Sequence, residues 1–197
     1  VSFYTGTQAE LLYSLPATVT NNTFTTQRVI SAPTAGTGGT HAIVPAGFFG
    51  SVPNGAGRAL LIKGAGTVAN AATGATFANV LALDAVAGTL LAGGTIFSLP
   101  AIAPTASTTI PWDFEIMVTC QAVGSAGTTL QCNGIFRQAV AASGTTLVAT
   151  NLSSQVAVNL TGLNSEAQMF LELFCTCSAS NASNTISVQQ LDLFGLN

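Results

Sequence analysis

Charge is what this sequence has least of. Lys, Arg, Asp and Glu make up 6% of its 197 residues, against about 25% in an ordinary soluble domain. The cations Arg28, Arg58, Lys63 and Arg137 stand singly along the chain, and the net charge is −3. A nucleic-acid binder needs several cations along one groove to release counterions, and attachment to an anionic membrane needs a basic cluster. Neither partner is therefore expected. Histidine is scarcer still, His41 being the sole one. A hydroxyl or thiol nucleophile needs a base beside it, and no nucleophile-elbow motif surrounds any Ser or Cys here. His41 reads as a solvent-facing or packed histidine, and no catalytic residue is assigned. With one Trp and two Tyr, aromatic platforms for stacking on a ligand are few.

A long uninterrupted apolar run is also missing. The most apolar stretch, Val80 to Ala103, is broken by Asp84, Gly93, Gly94 and Pro100, so it reads as strands and turns instead of a membrane span. No charged segment followed by a short apolar one opens the chain, and no retained signal peptide is expected. The length fits one large domain, since a unit of this size buries roughly 70% of the surface its unfolded chain exposes and needs no disulfide or metal to hold a core. Mean hydropathy is +0.55. Solubility must come from Thr, Ser, Asn and Gln, or from burial against neighbours, and so little charge favours assembly.

What the sequence does have is short β-rich runs punctuated by Gly, Pro, Ser and Asn, the spacing of a sandwich or barrel. They are Phe24 to Ile30, His41 to Phe49, Arg58 to Lys63, Thr76 to Leu83, Thr95 to Leu99, Trp112 to Ala122, Thr145 to Thr150, Gln155 to Leu160, Gln168 to Ser178 and Thr185 to Phe194. Residues 35–39 and 51–55 are loops by composition. The N-terminal piece, residues 1–23, carries the one helix-like fragment, Gln8 to Tyr13, and reads as an arm that either embraces a neighbour or straps its own sandwich. Residues 24–197 form the single β-sandwich domain. In the clearest strand, Trp112, Phe114, Ile116, Val118 and Cys120 alternate with polar residues and with Met117. Folding the following hairpin about Ala126 sets Cys120 opposite Cys132, Val118 opposite Gly134 and Ile116 opposite Phe136. On Gln168 to Ser178, Met169, Leu171, Leu173, Cys175 and Cys177 share one face. Phe170, Glu172, Phe174 and Thr176 share the other, whose aromatics predict a second sheet or an intersubunit contact there.

Several motifs invite a chemical reading. Lys63 to Ala69 contains Gly64 and Gly66 after a strand and stands before Asp84 at the distance a dinucleotide fingerprint needs. The helix such a site requires is poor, because Asn70, Thr73, Gly74, Thr76 and Asn79 disfavour it, so a glycine-rich strand or turn is the preferred reading. Cys120, Cys132, Cys175 and Cys177 lack the spacing of a zinc knuckle. They read first as buried thiols, with a Cys120–Cys132 cross-strand disulfide as the alternative. Asp113 and Glu115 lie on one strand face, as paired glycosidase carboxylates or calcium ligands would, but two residues make neither site and a solvated face is expected. No cofactor and no metal are expected. The Asn-x-Ser/Thr sites at Asn21, Asn151, Asn159 and Asn181 are explained by a composition rich in Asn and Thr.

The Gly-, Ala- and Thr-rich strands carry a resemblance to a known group. So do Trp112 to Ile116 leading through residues 124–127 to Cys132-Asn133-Gly134, and the turn 180–184 before Leu191 to Phe194. Residues 24–197 resemble the small β-sandwich virion proteins of tailed bacteriophages, above all capsid decoration or cement proteins. The resemblance implies an all-β, antiparallel, jelly-roll-like sandwich. It also implies a homo-oligomer, often a trimer, bound to a major capsid or other virion protein at the capsid surface. The expected function is a non-enzymatic decoration protein bridging shell subunits. The alternatives are a carbohydrate- or receptor-binding head of a tail or fibre protein and a major jelly-roll capsid subunit.

Overall fold

A computed structural model describes residues 9–32, 41–50, 58–71, 74–91, 94–105, 107–123, 129–139, 147–159 and 165–196. The described residues hold twelve strands and no helix. These are β1 (Ala9–Ser14), β2 (Val19–Asn22), β3 (Arg28–Val29), β4 (Ala42–Val44), β5 (Ala59–Ala69), β6 (Phe77–Asp84), β7 (Thr95–Ser98), β8 (Thr109–Ala122), β9 (Thr129–Ala139), β10 (Leu147–Asn159), β11 (Met169–Cys177) and β12 (Thr185–Leu196). Two antiparallel sheets form the sandwich expected from the sequence. One runs β1-β12-β5-β8-β9-β10, with β2 sharing β1's edge of β12; the other runs β3-β11-β6-β7, with β4 sharing β3's edge of β11.

Alternation dictates this packing. Along β5, Leu60, Ile62, Gly64, Gly66 and Val68 point inward while Leu61, Lys63, Ala65 and Thr67 point out, the period of two that gives a sheet one dry face. The same holds along β8, whose Trp112, Phe114, Ile116 and Val118 meet Phe77, Leu81, Leu83, Leu171 and Leu173 of the other sheet in one hydrophobic core. Phe49, Phe77, Phe114 and Phe136 are its largest fully buried side chains.

Three details differ from the sequence reading. Gln8 to Tyr13 was expected to be helix-like, yet Ala9–Ser14 pairs antiparallel with the end of β12, because an open sheet edge outweighs weak local helix propensity. The described part of the N-terminal piece thus lies against its own sheet, and residues 1–8 are outside the described region. The runs at 145–150 and 155–160 merge into β10, interrupted only by a register shift between Ser154 and Val158. The β8–β9 hairpin is displaced by two residues, so Cys120 faces Leu130, Val118 faces Cys132, Ile116 faces Gly134 and Phe114 faces Phe136. An irregularity between Cys120 and Ala122 accounts for one residue of the shift, and because the whole displacement is even every side chain keeps its face. The turn 124–127 and the loops 35–39 and 51–55 lie outside the described residues.

The displaced register also removes the disulfide alternative. All four cysteines are free and buried; burial pushes the Cys132 thiol up to about 12 and raises Cys120 and Cys175 as well. Thiolate is the reactive form, so Ellman's reagent is expected to leave the native protein untouched and to titrate all four thiols only after denaturation. Prompt reaction of even one thiol in the native state would contradict this packing.

Candidate functional site

The outer face of the smaller sheet carries a recess whose residues come from three separate parts of the chain. β11 supplies the floor. With Leu171, Leu173 and Cys175 turned into the core, alternation sends Phe170, Glu172, Phe174 and Thr176 outward. In register beside them on β6 stand Asp84, Ala82, Val80 and Ala78. The sequence predicts a second sheet or another subunit over these aromatics. Within the chain Phe174 is only 3% exposed, with residues 27–32 on one side of it and residues 87–90 on the other. Between them lies a cleft of about 410 Å³ lined by Gln27, Arg28, Val29, His41, Thr89 and Phe174 among others.

Glu172 organises the cleft. Its side chain is 1% exposed, and it contacts His41 Nδ1 at 2.5 Å, the imidazole being 27% exposed. The backbone N–H of Gly88 donates to both of its oxygens, at 3.0 and 2.8 Å. With both oxygens accepting, the proton of the His41 contact sits on Nδ1, which fixes the ring and leaves Nε2 as its remaining polar atom. The ring edge of His41 also meets Phe170, with centroids 6.0 Å apart. Gly88 adopts φ +77°, a conformation glycine reaches at little cost, and this points its N–H down at the carboxylate. One strand pair away, Asp84 Oδ1 accepts the backbone N–H of Leu91 at 3.0 Å, while its Oδ2 is buried without a hydrogen-bond partner. Desolvation and the neighbouring charge of Glu172 hold the Asp84 carboxyl at about 6, against the pull of the Leu91 N–H. The Glu172 carboxylate, through Gly88, thus holds the connection between β6 and β7 onto the sheet as the cleft's wall, and the Asp84 carboxyl accepts a second N–H of that connection.

The other sequence candidates fall elsewhere. His41 is packed and partly solvent-facing, as expected, but Glu172 as its partner is 131 residues away in the chain and was legible only as an outward charge on a strand. Lys63 to Ala69 lies wholly within β5, with no helix after it among the described residues, so the dinucleotide reading is replaced by the glycine-rich strand. Asp84 belongs to the opposite sheet, holding Leu91. Asp113 and Glu115 lie on the flat outer face of the larger sheet, not in a cleft. Each has a cation on a neighbouring strand: Arg137 Nε donates to Asp113 at 2.6 Å, and Lys63 lies 3.1 Å from Glu115. Neutralised this way on an open surface, they form neither a glycosidase pair nor a calcium site. Among the described residues no group of three or more His, Cys, Asp or Glu side chains is arranged to hold a metal.

No protein-family model matches the chain, and neither does any curated protein sequence. Solved structures match its fold at low identity. The CBM2 module of the evolved Dit protein of Lactobacillus casei BL23 phage J-1 aligns over 97% of both chains, with 11% identity and a TM-score of 0.41. The winged bean acidic lectin complexed with methyl-α-D-galactose aligns over 98% of this chain and 100% of the lectin, with 10% identity and a TM-score of 0.37. The likeness is one of β-sandwich fold.

Proposed function

We propose that this chain is a non-enzymatic recognition module that binds a saccharide in the cleft between residues 27–32 and 87–90. The observation carrying this reading is the lining of that cleft. Its volume falls within the roughly 300–1,000 Å³ of small-molecule sites, and its mostly apolar walls carry a few convergent polar groups, the pattern of such sites. The Gln27 amide, the Arg28 guanidinium, the His41 imidazole and the Thr89 hydroxyl stand around an apolar base of Val29, Leu90 and Phe174. Ring hydroxyls suit such a rim, and the C–H face of a sugar suits the base. Glu172 is engaged by Gly88 and His41, so we assign the His41–Glu172 pair a positioning role and no proton transfer.

The test begins with a glycan array probed with the whole chain, followed by calorimetry on the saccharide that binds. Gln27 is exposed and structurally idle, so Gln27→Ala is expected to weaken binding about 5-fold, the worth of one hydrogen bond of roughly 1 kcal/mol, with no change in stability. Ala87→Trp fills the cleft and is expected to abolish binding. A chain that binds no glycan, or binds one equally well with the cleft filled, would sink the reading.

A second reading follows from the 6% charged content, which favours assembly: a virion structural protein, decorating a capsid or carrying the cleft on a tail. Mass spectrometry of purified particles would test it, since a chain absent from virions serves neither role.

A further inference from the structure

The outer face of the larger sheet, on the opposite side of the molecule from the cleft, is crossed by an apolar row. Register places Leu11, Phe194, Leu61 and Met117 side by side on β1, β12, β5 and β8, and all four point away from the core. Leu11 is 57% exposed and Met117 43%. Directly beside it runs a second row, Asp192, Lys63, Glu115 and Ile135, on β12, β5, β8 and β9. In a chain with few charges, two of the four cations, Lys63 and Arg137, stand on this face with Asp113, Glu115 and Asp192.

We propose that this face docks onto the same face of a second copy, about a two-fold axis parallel to the strands and lying between β5 and β8. The argument is charge complementarity within the observed register. A two-fold axis in that position lays β5 of one copy over β8 of the other at equal height along the strands. Leu61 then meets the other copy's Met117, and Lys63 meets the other copy's Glu115, twice over by symmetry. The Lys63–Glu115 pairs of the two chains become one cluster of four alternating charges. One row further on, Asp192 meets Ile135 and Phe194 meets Asn133. An axis perpendicular to the strands instead lays each strand over its own copy, so Lys63 meets either a second Lys63 or an uncharged residue of β5 and never Glu115. Sheets packed this way keep nearly aligned strands, the commoner arrangement for face-to-face sheets, and the contact is self-complementary, as an isologous interface must be. The two clefts then face outward on opposite sides of the dimer, so it presents two sites at once.

Sedimentation of the full chain tests this, with Trp112 fluorescence confirming that each variant is folded. The wild type is expected to dimerise reversibly. Met117→Lys, which sets a charge on each Leu61, is expected to weaken the dimer by about tenfold or more. Lys63→Glu and Glu115→Lys should each give monomers, because each sets like charges across the axis. An equimolar mixture of the two variants should recover a heterodimer, since both intermolecular pairs are restored there while the pairs within each chain stay broken. A wild-type chain that stays monomeric, a Met117→Lys dimer of unchanged affinity, or a mixture that fails to pair would each overturn the proposal. Saccharide binding by these variants is expected to be unchanged per chain, which separates this face from the cleft.

Discussion

Replacing Gly66 by alanine is expected to lower the unfolding free energy by about 3–5 kcal/mol, near the upper end of what one added methyl costs in a packed interior. A Cβ at this position would stand 1.9 Å from the Ser187 carbonyl oxygen and 2.6 Å from Cζ2 of Trp112. The first neighbour is backbone of β12, which pairs with β5 at Thr67 and Gly66 and again at Ala65 past an irregularity between Val188 and Gln190, so a shift large enough to clear this contact breaks ladder pairs beside it. The second is a buried indole stacked on Phe114, with ring planes 8° apart. Gly64 repeats the arrangement one pleat along, where a Cβ would enter the Phe114 ring. The two glycines therefore let two aromatic rings of β8 lie flat across the β5 backbone. Gly50 provides the contrast: a Cβ there meets nothing nearer than 3.9 Å and the residue has no left-handed φ. Gly50→Ala should be neutral or stabilising by up to about 1 kcal/mol. Urea denaturation followed by Trp112 fluorescence reads both. A Gly66→Ala protein with a wild-type midpoint would mean that β5 and β12 do not pair in this register.

The same glycines mark what the sequence could and could not convey. Alternation along β5, β8 and β12 is a local property, so the sandwich, its inward face and the inward turn of Trp112 are legible residue by residue. Pairing is non-local. Gly64-x-Gly66 looks like a loop that cradles phosphate until Trp112 and Phe114 are seen to lie on it, some fifty residues later. The hairpin illustrates the middle ground: the faces of Cys120 and Cys132 follow from parity, but the two-residue displacement of the register carries no composition signal and decides that the two thiols do not face each other. The cleft was the least legible feature. Its floor was visible as outward Phe170, Glu172 and Phe174, whereas its walls come from residues 27–32 and 87–90, short connections with no periodicity. Only the positive φ of Gly88 and the burial of Glu172 reveal that a backbone N–H and a carboxylate are paired there. An outward carboxylate between two aromatics on an otherwise apolar strand is the signal that could have flagged it.

Asp84 gives the other large expected effect, and its sign follows from linkage. The carboxyl titrates at 3.8 in an unstructured chain and at about 6 in the fold, so between these values the native state holds a proton that the unfolded state has released. Stability is then greatest below the lower value, falls as pH rises through the interval, and levels off above about pH 6. Over that interval the loss amounts to roughly 3 kcal/mol at most. Other carboxylates contribute slopes of their own, so the useful quantity is the difference between wild type and Asp84→Asn. The amide keeps an oxygen to accept the Leu91 N–H and removes the charge beside Glu172. Near pH 4 the two proteins should unfold at similar denaturant concentrations; near pH 7.5 Asp84→Asn should be the more stable by about 2–3 kcal/mol. Equal stability differences at both pH values would show that Asp84 is ionised normally in the fold and that the β6–β7 connection is not seated on it. Because Leu91 and Gly88 belong to that one connection, the ionised form of Asp84 works against the wall that Glu172 holds in place. Asp84→Asn is accordingly expected to slow amide exchange at Gly88 and Leu91 near pH 7.5, a readout confined to the cleft that a general gain in stability would not single out.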